Sequence, residues 1–335
     1  MVKLSVLDQS HIGEGRTARD ALDETTRLAQ EAERLGYTRF WVSEHHGMPM
    51  LAHSSPEVLL AHLGAHTSSI RLGSGGVMLP HYSAYKVAEN FRLLEALHPG
   101  RIDVGLGRAP GGMPIASRAL QQDKRVDIDR YPEQVADLVG YLHDALPADH
   151  PFARLAAMPA IPTAPSVWLL GSSDESARIA ARQGLAFGFA QFFGVTEGER
   201  AMRLYRESFR PSAYLKEPMS LAAVLVICAE TEEEANRLAF SSDLLFLKLE
   251  LGQELRELPS VATAEDYPYT EYDLQRIRFG RQRRFVGTPE RVKAELLAAG
   301  ERYGTDEFMV VTPVYDQAAR IRSYELLADA FGVRP

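Results

Sequence analysis

Four short stretches of this 335-residue chain carry residue types that could do chemistry. "FWVSEHHGM" (40–48) ends an aromatic and β-branched run on Glu44, His45 and His46. "LGSGGVML" (72–79) sets Ser74, Gly75 and Gly76 inside what otherwise reads as a core strand. "GLGRAPGGMPIASRAL" (105–120) supplies Arg108 and Arg118, and "LLGSSDESA" (169–177) supplies Gly171, Ser172 and Ser173. An imidazole titrates near neutrality and suits proton transfer. Guanidinium groups bind phosphate through paired donors. A glycine and hydroxyls where a strand gives way to a helix add free backbone amides, an uncharged cradle for the same anion. Adjacent glycines weaken a strand, so either a ligand approaches the backbone there or the chain bends, as at a barrel bulge.

Each feature has a plain structural alternative: a packed histidine, an N-cap serine, a bulge glycine. Metal binding is the weaker reading of the histidines. Neighbouring strand residues point to opposite faces, so His45 and His46 do not readily share one ion, and no H-E-x-x-H is present. A single histidine at a strand end fits better, with Glu44 beside it as a candidate to orient it. Neither glycine cluster has G-x-G-x-x-G spacing or a Walker lysine, so no dinucleotide loop is expected.

The elements that must position these residues alternate strictly. Strands are expected at 3–8, 39–46, 70–79, 101–107, 166–171, 186–193, 220–229 and 307–314. Helices are expected at about 17–35, 56–67, 83–97, 127–144, 174–183, 196–209 and 287–300, with a last one running to about Phe331. Eight strand–helix units predict a parallel sheet closed into a (β/α)8 TIM barrel, with an open doubly wound sheet as the alternative. Residues 1–335 read as one domain. Residues 231–286 break the rhythm with a helix and then an insertion, 252–286, before the last helix–strand unit, either a candidate lid or a disordered loop, with "YPYTEYD" polar and mobile. The arginine run "RIRFGRQRR" (276–284) is either a solvated face or a site for a charged substrate or partner. In a barrel, the loops after the strands share one mouth, and there the four stretches converge.

Bulk properties narrow the field. A net charge of −8 argues against sequence-independent nucleic-acid binding, which needs a basic field. The one cysteine, Cys228, reads as a small buried hydrophobe and rules out an internal disulfide or a cysteine zinc site. "MVKLSVLDQS" turns polar too quickly for a secretory leader and no segment approaches membrane-span length, so the expected location is cytoplasmic.

With these residues in view, the chain resembles the luciferase-like monooxygenase family, which contains the bacterial luciferase subunits. The likeness rests on "GYTRFWVSEHH", "LGSGGVMLP", "HPGRIDVGLGR", "SRAL", "LLGSSDESA" and "VGTPE", in the family order along nearly the whole chain. It implies a (β/α)8 barrel, usually dimeric, that binds flavin at its C-terminal mouth. It also implies that His45 is the general base or acid beside the flavin. Gly75-Gly76 matches a non-proline cis peptide against which the isoalloxazine packs, with Ser74 beside it. Arg108, Arg118, Ser172 and Ser173 match phosphate ligands, next to Gly171. Met78, Gln191 and Phe192 would line a mostly apolar substrate pocket together with the lid. Two departures point away from light emission: Gly107 stands where the luminous subunit has a reactive cysteine, and Gln191 where it has a tryptophan near the flavin. The implied activity is monooxygenation by reduced FMN and O2 through a C4a-peroxyflavin. A separate NAD(P)H:flavin reductase accompanies it, as does a homodimer built on "EVLLAHLGAH" and "VAENFRLLEAL", segments that could equally face the barrel. An F420-dependent hydride transferase and a non-catalytic flavin-binding protein are the alternatives.

Overall fold

The computed structural model describes residues 2–122, 127–193 and 198–334. Its strands are β1 (Lys3–Asp8), β2 (Arg39–Val42), β3 (Arg71–Ser74), β4 (Val77–Met78) and β5 (Ile102–Gly107). They continue as β6 (Ser166–Gly171), β7 (Ala186–Ala190), β8 (Ser220–Cys228), β9 (Arg284–Gly287) and β10 (Glu307–Val311). The helices are α1 (Ala18–Leu35), α2 (Pro56–His66), α3 (Ala84–Leu97), α4 (Pro114–Gln121), α5 (Tyr131–Leu142) and α6 (Asp174–Gln183). After them come α7 (Gly198–Ser208), α8 (Glu232–Glu250), α9 (Val261–Glu265), α10 (Glu271–Arg281), α11 (Pro289–Tyr303) and α12 (Gln317–Phe331).

Parallel pairing runs β10-β1-β2-β3-β5-β6-β7-β8, and β8 pairs back onto β10, so eight staves close a (β/α)8 barrel. β4 continues the β3 stave after a break and pairs with β5. The open-sheet alternative is thereby replaced by closure. Local chemistry starts and stops the helices where periodicity predicts. Thr17 and Asp20 form a capping box on α1, and Gly36 ends it in the left-handed region at φ 84°. Thr288 caps α11 ahead of Pro289.

Alternation along each strand divides the core. Outward residues such as Leu4, Phe40, Leu72 and Val224 meet the helices. Inward residues Leu7, Trp41, Trp168, Leu221, Leu225, Met309 and Val311 fill the barrel itself. Beneath the tryptophans lies a buried ion network. Asp103 accepts from Arg39, Trp41 and Arg71, while Glu307 accepts from Arg39 and Ser5.

Several boundaries differ from the sequence expectation. β2 stops at Val42, because Glu44 and His46 turn their side chains to other loops. The expected strand 70–79 is broken at Gly75-Gly76, and β7 ends at Ala190 before a 3-10 turn, Gln191–Phe193. The beginning of the helix expected over 196–209 lies outside the described residues. The disordered alternative for 252–286 gives way to a folded insertion of α9, α10 and β9. "YPYTEYD" contains a second capping box, Thr270 with Asp273, which starts α10. No helix among the described residues is long and apolar enough to cross a membrane.

Candidate active site

The mouth is built stave by stave. Beyond β2, Ser43, Glu44, His45 and His46 point in different directions. His45 Nδ1 lies 3.0 Å from Ser43 Oγ. Burial pushes the His45 imidazole down to about 4, with His53 and His46 adding to the effect, so the ring is neutral at pH 7. Glu44 does not orient His45. Its buried carboxylate faces His46 Nε2 at 2.8 Å and accepts from Tyr82 Oη at 2.8 Å and from the Met78 amide at 3.2 Å. The His46 amide in turn donates to the Gly111 carbonyl at 2.8 Å. His46 is therefore the tether between the β2 end and the loop after β5. Sequence reasoning missed Ser43 and Tyr82, because nothing in the spacing marks a serine two residues before a histidine or a tyrosine one helical turn past a strand.

Next on the wall is a floor without side chains. The Gly75–Gly76 peptide is cis. A Cβ on Gly75 would meet Leu7 Cδ1 at 2.6 Å, and one on Gly76 would meet both Gly105 O and Leu170 Cδ1 at 2.7 Å. Only glycine fits either position. Ser74, expected among the cofactor contacts, commits its hydroxyl elsewhere: Oγ donates to Gly105 O at 2.9 Å and accepts from Gly105 N at 3.0 Å. It thus replaces the ladder bonds lost where β3 breaks. Met78 is buried and packs over Gly107 and Gly111, filling the space a cysteine at 107 would need.

Beyond β5 and β6 lies the cationic side. Arg108 sits near the buried Tyr131, whose hydroxyl has no partner among the described residues. Arg118 is exposed on α4, while the Oγ of adjacent Ser117 is buried and likewise unpartnered. Neither arginine pairs with an acid among the described residues. Ser173 is the N-cap of α6, its Oγ accepting from Ser176 N, while the Ser172 hydroxyl is unpaired among the described residues. Gly171 leaves room for the Ser176 side chain.

The pocket residues divide. Phe192 packs on the inward cluster with Leu170. Gln191 is buried beside Tyr303 of α11, outside the barrel, so it does not line the mouth. Phe187 and Phe189 face outward into the helix layer, and in the 3-10 turn that follows β7 Gln191 leans toward Tyr303 while Phe192 packs on the inward cluster.

The remaining rim carries the insertion. Asp8, at the end of β1, accepts from Arg320, Thr25 and the Ser10 amide. Burial raises its carboxyl, but the Arg320 charge and these bonds prevail and hold it at about 2. The loop after β1 pairs with the loop after β2 through Ile12 N to Met50 O, 2.8 Å, and with the insertion through Leu258 N to Ile12 O, 2.7 Å. Glu14 accepts from Ser260 N and Thr263 Oγ1, and Leu255 and Leu258 pack on Met50 and Leu245. The arginine run is not a bare solvated face: Arg281 and Arg284 turn inward onto Asp243 of α8. A cavity of about 570 Å³ opens at the opposite end, lined by Lys3, Ser220 and Glu307 at the starts of their strands.

Comparison with known proteins agrees with this fold. The profile of luciferase-like monooxygenases matches residues 2–307. The uncharacterized protein YwcH of Bacillus subtilis (strain 168) is 53% identical over 331 residues, spanning 99% of both chains. The N-acetyl-S-alkylcysteine monooxygenase of the same organism is 40% identical across 98% of both. Among solved structures, apo-MsnO8 superposes with a TM-score of 0.91 at 40% identity, covering 100% of each chain. With the family match and the barrel in accord, the chain is an oxidoreductase that belongs to the luciferase-like monooxygenase family.

Proposed function

We propose that this protein is a flavin-dependent monooxygenase that uses reduced FMN and O2 to oxygenate a small, mostly apolar organic substrate, without light emission. The observation that carries this reading is the side-chain-free floor at Gly75-Gly76. It is set between His45 on one neighbouring stave and Arg108 and Ser172 on the next two. A planar ring can lie on such a floor with no side chain displaced. The residues of the cationic side fit a phosphate: two arginines with no acid partner among the described residues, an unpaired Ser172 and the orphaned hydroxyls of Tyr131 and Ser117.

When bound, the flavin supplies the activation of O2, and the protein contributes binding, orientation and exclusion of water. Arg108, Arg118 and Ser172 would hold the phosphate, with the amides at the start of α6 aligned by Ser173. Gly75 and Gly76 would support the ring. Ser43 holds Nδ1 of His45, which leaves Nε2 to accept or return a proton at the substrate, and a neutral imidazole is the form that accepts one. Met78, Phe192 and Leu170 would make the substrate's surroundings apolar. The 252–286 insertion, docked on the loops after β1 and β2, would serve as the lid.

The fold itself does not choose the cofactor. The same barrel occurs in the FMN complex of the oxygenating constituent of 3,6-diketocamphane monooxygenase (TM-score 0.71, 19% identity). It also occurs in an F420-dependent secondary alcohol dehydrogenase (TM-score 0.67, 14% identity). Full-length similarity at 40% identity to a relative named for oxygenating N-acetyl-S-alkylcysteine favours oxygen transfer over hydride transfer. A separate NAD(P)H:flavin reductase would deliver the reduced flavin. A homodimer would cover Val58 of α2 and Leu93 and Leu97 of α3, which are 73%, 54% and 56% exposed. Anaerobic titration with reduced FMN, oxidised FMN and F420, followed by O2, tests the reading. Binding of reduced FMN and consumption of O2 are expected; binding of F420 alone, with no O2 uptake, overturns it.

A further inference from the structure

We infer that Arg284 is the residue that recognises the substrate, and that the substrate carries a single anionic group, such as a carboxylate, on an otherwise apolar body. This rests on the reading of the mouth as a monooxygenase site and names what the site selects.

Register fixes where Arg284 points. β8 pairs with β10 and with β9 at the same residue: Leu225 is opposite Val311 and also opposite Arg284. A residue has one partner on each edge, so β9 lies on the β7 edge of β8, beyond the point where β7 ends at Ala190 opposite Ala223. Paired residues face the same side of a sheet. Leu225 belongs to the inward cluster of the barrel, and its outward neighbour Val226 is opposite Phe285, which packs with the helix layer. Arg284 is therefore presented on the inner face, one step above the top of β7.

The surroundings of its head do not use it up. The guanidinium stacks over Phe246, 4.6 Å from the ring centroid, and Phe246 packs on the same inward cluster as Leu170 and Phe192. Its Nη1 donates to Asp243 at 2.7 Å and reaches Ser242 Oγ at 3.3 Å. Asp243 is already held by Nε and Nη2 of Arg281. One buried carboxylate thus faces two guanidinium groups, which leaves one positive charge in excess. The Arg284 side chain is only 5% exposed. Its Nε–H and two Nη2–H groups have no acceptor among the described residues and are not sealed from the mouth, so they are free to meet a ligand. A cation with free donors at the edge of an apolar lining is complementary to an amphiphilic anion.

The test uses full-length protein loaded with FMN and a matched pair of probes, N-acetyl-S-butylcysteine and its methyl ester. Binding of each is measured by equilibrium dialysis to wild type, Arg284→Lys and Arg284→Met, with FMN affinity and melting temperature recorded for all three. Wild type is expected to bind the acid roughly tenfold or more tighter than the ester, the scale of one charge-assisted contact. Arg284→Met is expected to bring the ratio to about one by weakening the acid alone, and Arg284→Lys to keep part of it. Equal binding of acid and ester to wild type, no measurable binding of either, or a ratio that survives in Arg284→Met overturns the proposal. So does an Arg284→Met variant whose FMN affinity falls with its melting temperature unchanged, because the guanidinium then serves the flavin phosphate. If Arg284→Met does not fold, the wild-type ratio and Arg284→Lys decide. An Arg284-dependent preference for the acid in a protein that binds no FMN would sink the flavin reading and leave the anion site standing.

Discussion

The two ends of the barrel treat charge in opposite ways. At the closed end, Asp103, Glu307, Arg39 and Arg71 form a network in which each charge meets an opposite one, and Trp41, Ser5 and Ser166 add hydrogen bonds. At the mouth, Arg108 and Arg118 have no acid among the described residues, and Tyr131, Ser117 and His53 keep buried polar atoms without partners. A buried charge left alone costs several kcal/mol, so the closed end has the form of a network whose charges are paired, although Trp168 Nε1 beside it is buried without a partner among the described residues. The open end has the form of one that a ligand completes. The 570 Å³ cavity at the closed end does not alter this, because size alone does not make a binding site.

Four substitutions probe that contrast. His45→Ala should lower turnover by roughly 10²–10⁴-fold, the range of general acid–base catalysis, with the melting temperature little changed. A companion pH profile sharpens it. Because the imidazole of His45 is held down to about 4, kcat/KM should stay level as pH falls past 6.5 and drop only as His45 takes its proton near 4. A break near 6.5 would assign the proton transfer to another group. Asp103→Ala leaves Arg71 without its carboxylate and Arg39 with Glu307 alone, so chemical denaturation should show a loss of about 3–5 kcal/mol. FMN affinity of the protein that remains folded should be unaffected; a specific loss of affinity would erase the distinction between the two ends. Arg118→Ala should do the reverse, weakening FMN by roughly 10- to 100-fold, as expected of one charge-assisted phosphate contact, while leaving stability within about 0.5 kcal/mol. Gln191→Ala should have the smallest effect, with turnover and substrate KM within about twofold of wild type, since its side chain leans on Tyr303. A large change in KM would return Gln191 to the pocket.

Most of the barrel was legible because its signals are local. β-Branched runs, Gly36, the Thr17 capping box and Thr288-Pro289 each act within one turn of chain. The mouth was legible where glycine or arginine sits at a strand end, as at Gly75, Gly76 and Arg108. What could not be read depends on contacts distant in sequence. Nothing near Ser74 shows that its hydroxyl would bridge Gly105, 31 residues on. The expectation that Glu44 orients His45 fails because its carboxylate is taken by His46 and by Tyr82 and Met78, which lie beyond the next stave. β9 escaped notice because "RFVG" lies at the end of an arginine run, and its pairing partner is the second half of a strand already assigned to the barrel.

The Glu44 contacts carry one consequence for motion. One carboxylate joins the β2 end to Met78 and Tyr82, and the amide of His46 passes the link on to Gly111. Three segments around the floor are therefore linked for local opening, and hydrogen exchange should show the amides of Met78 and His46 protected to a similar degree; widely different rates would show that the segments open separately.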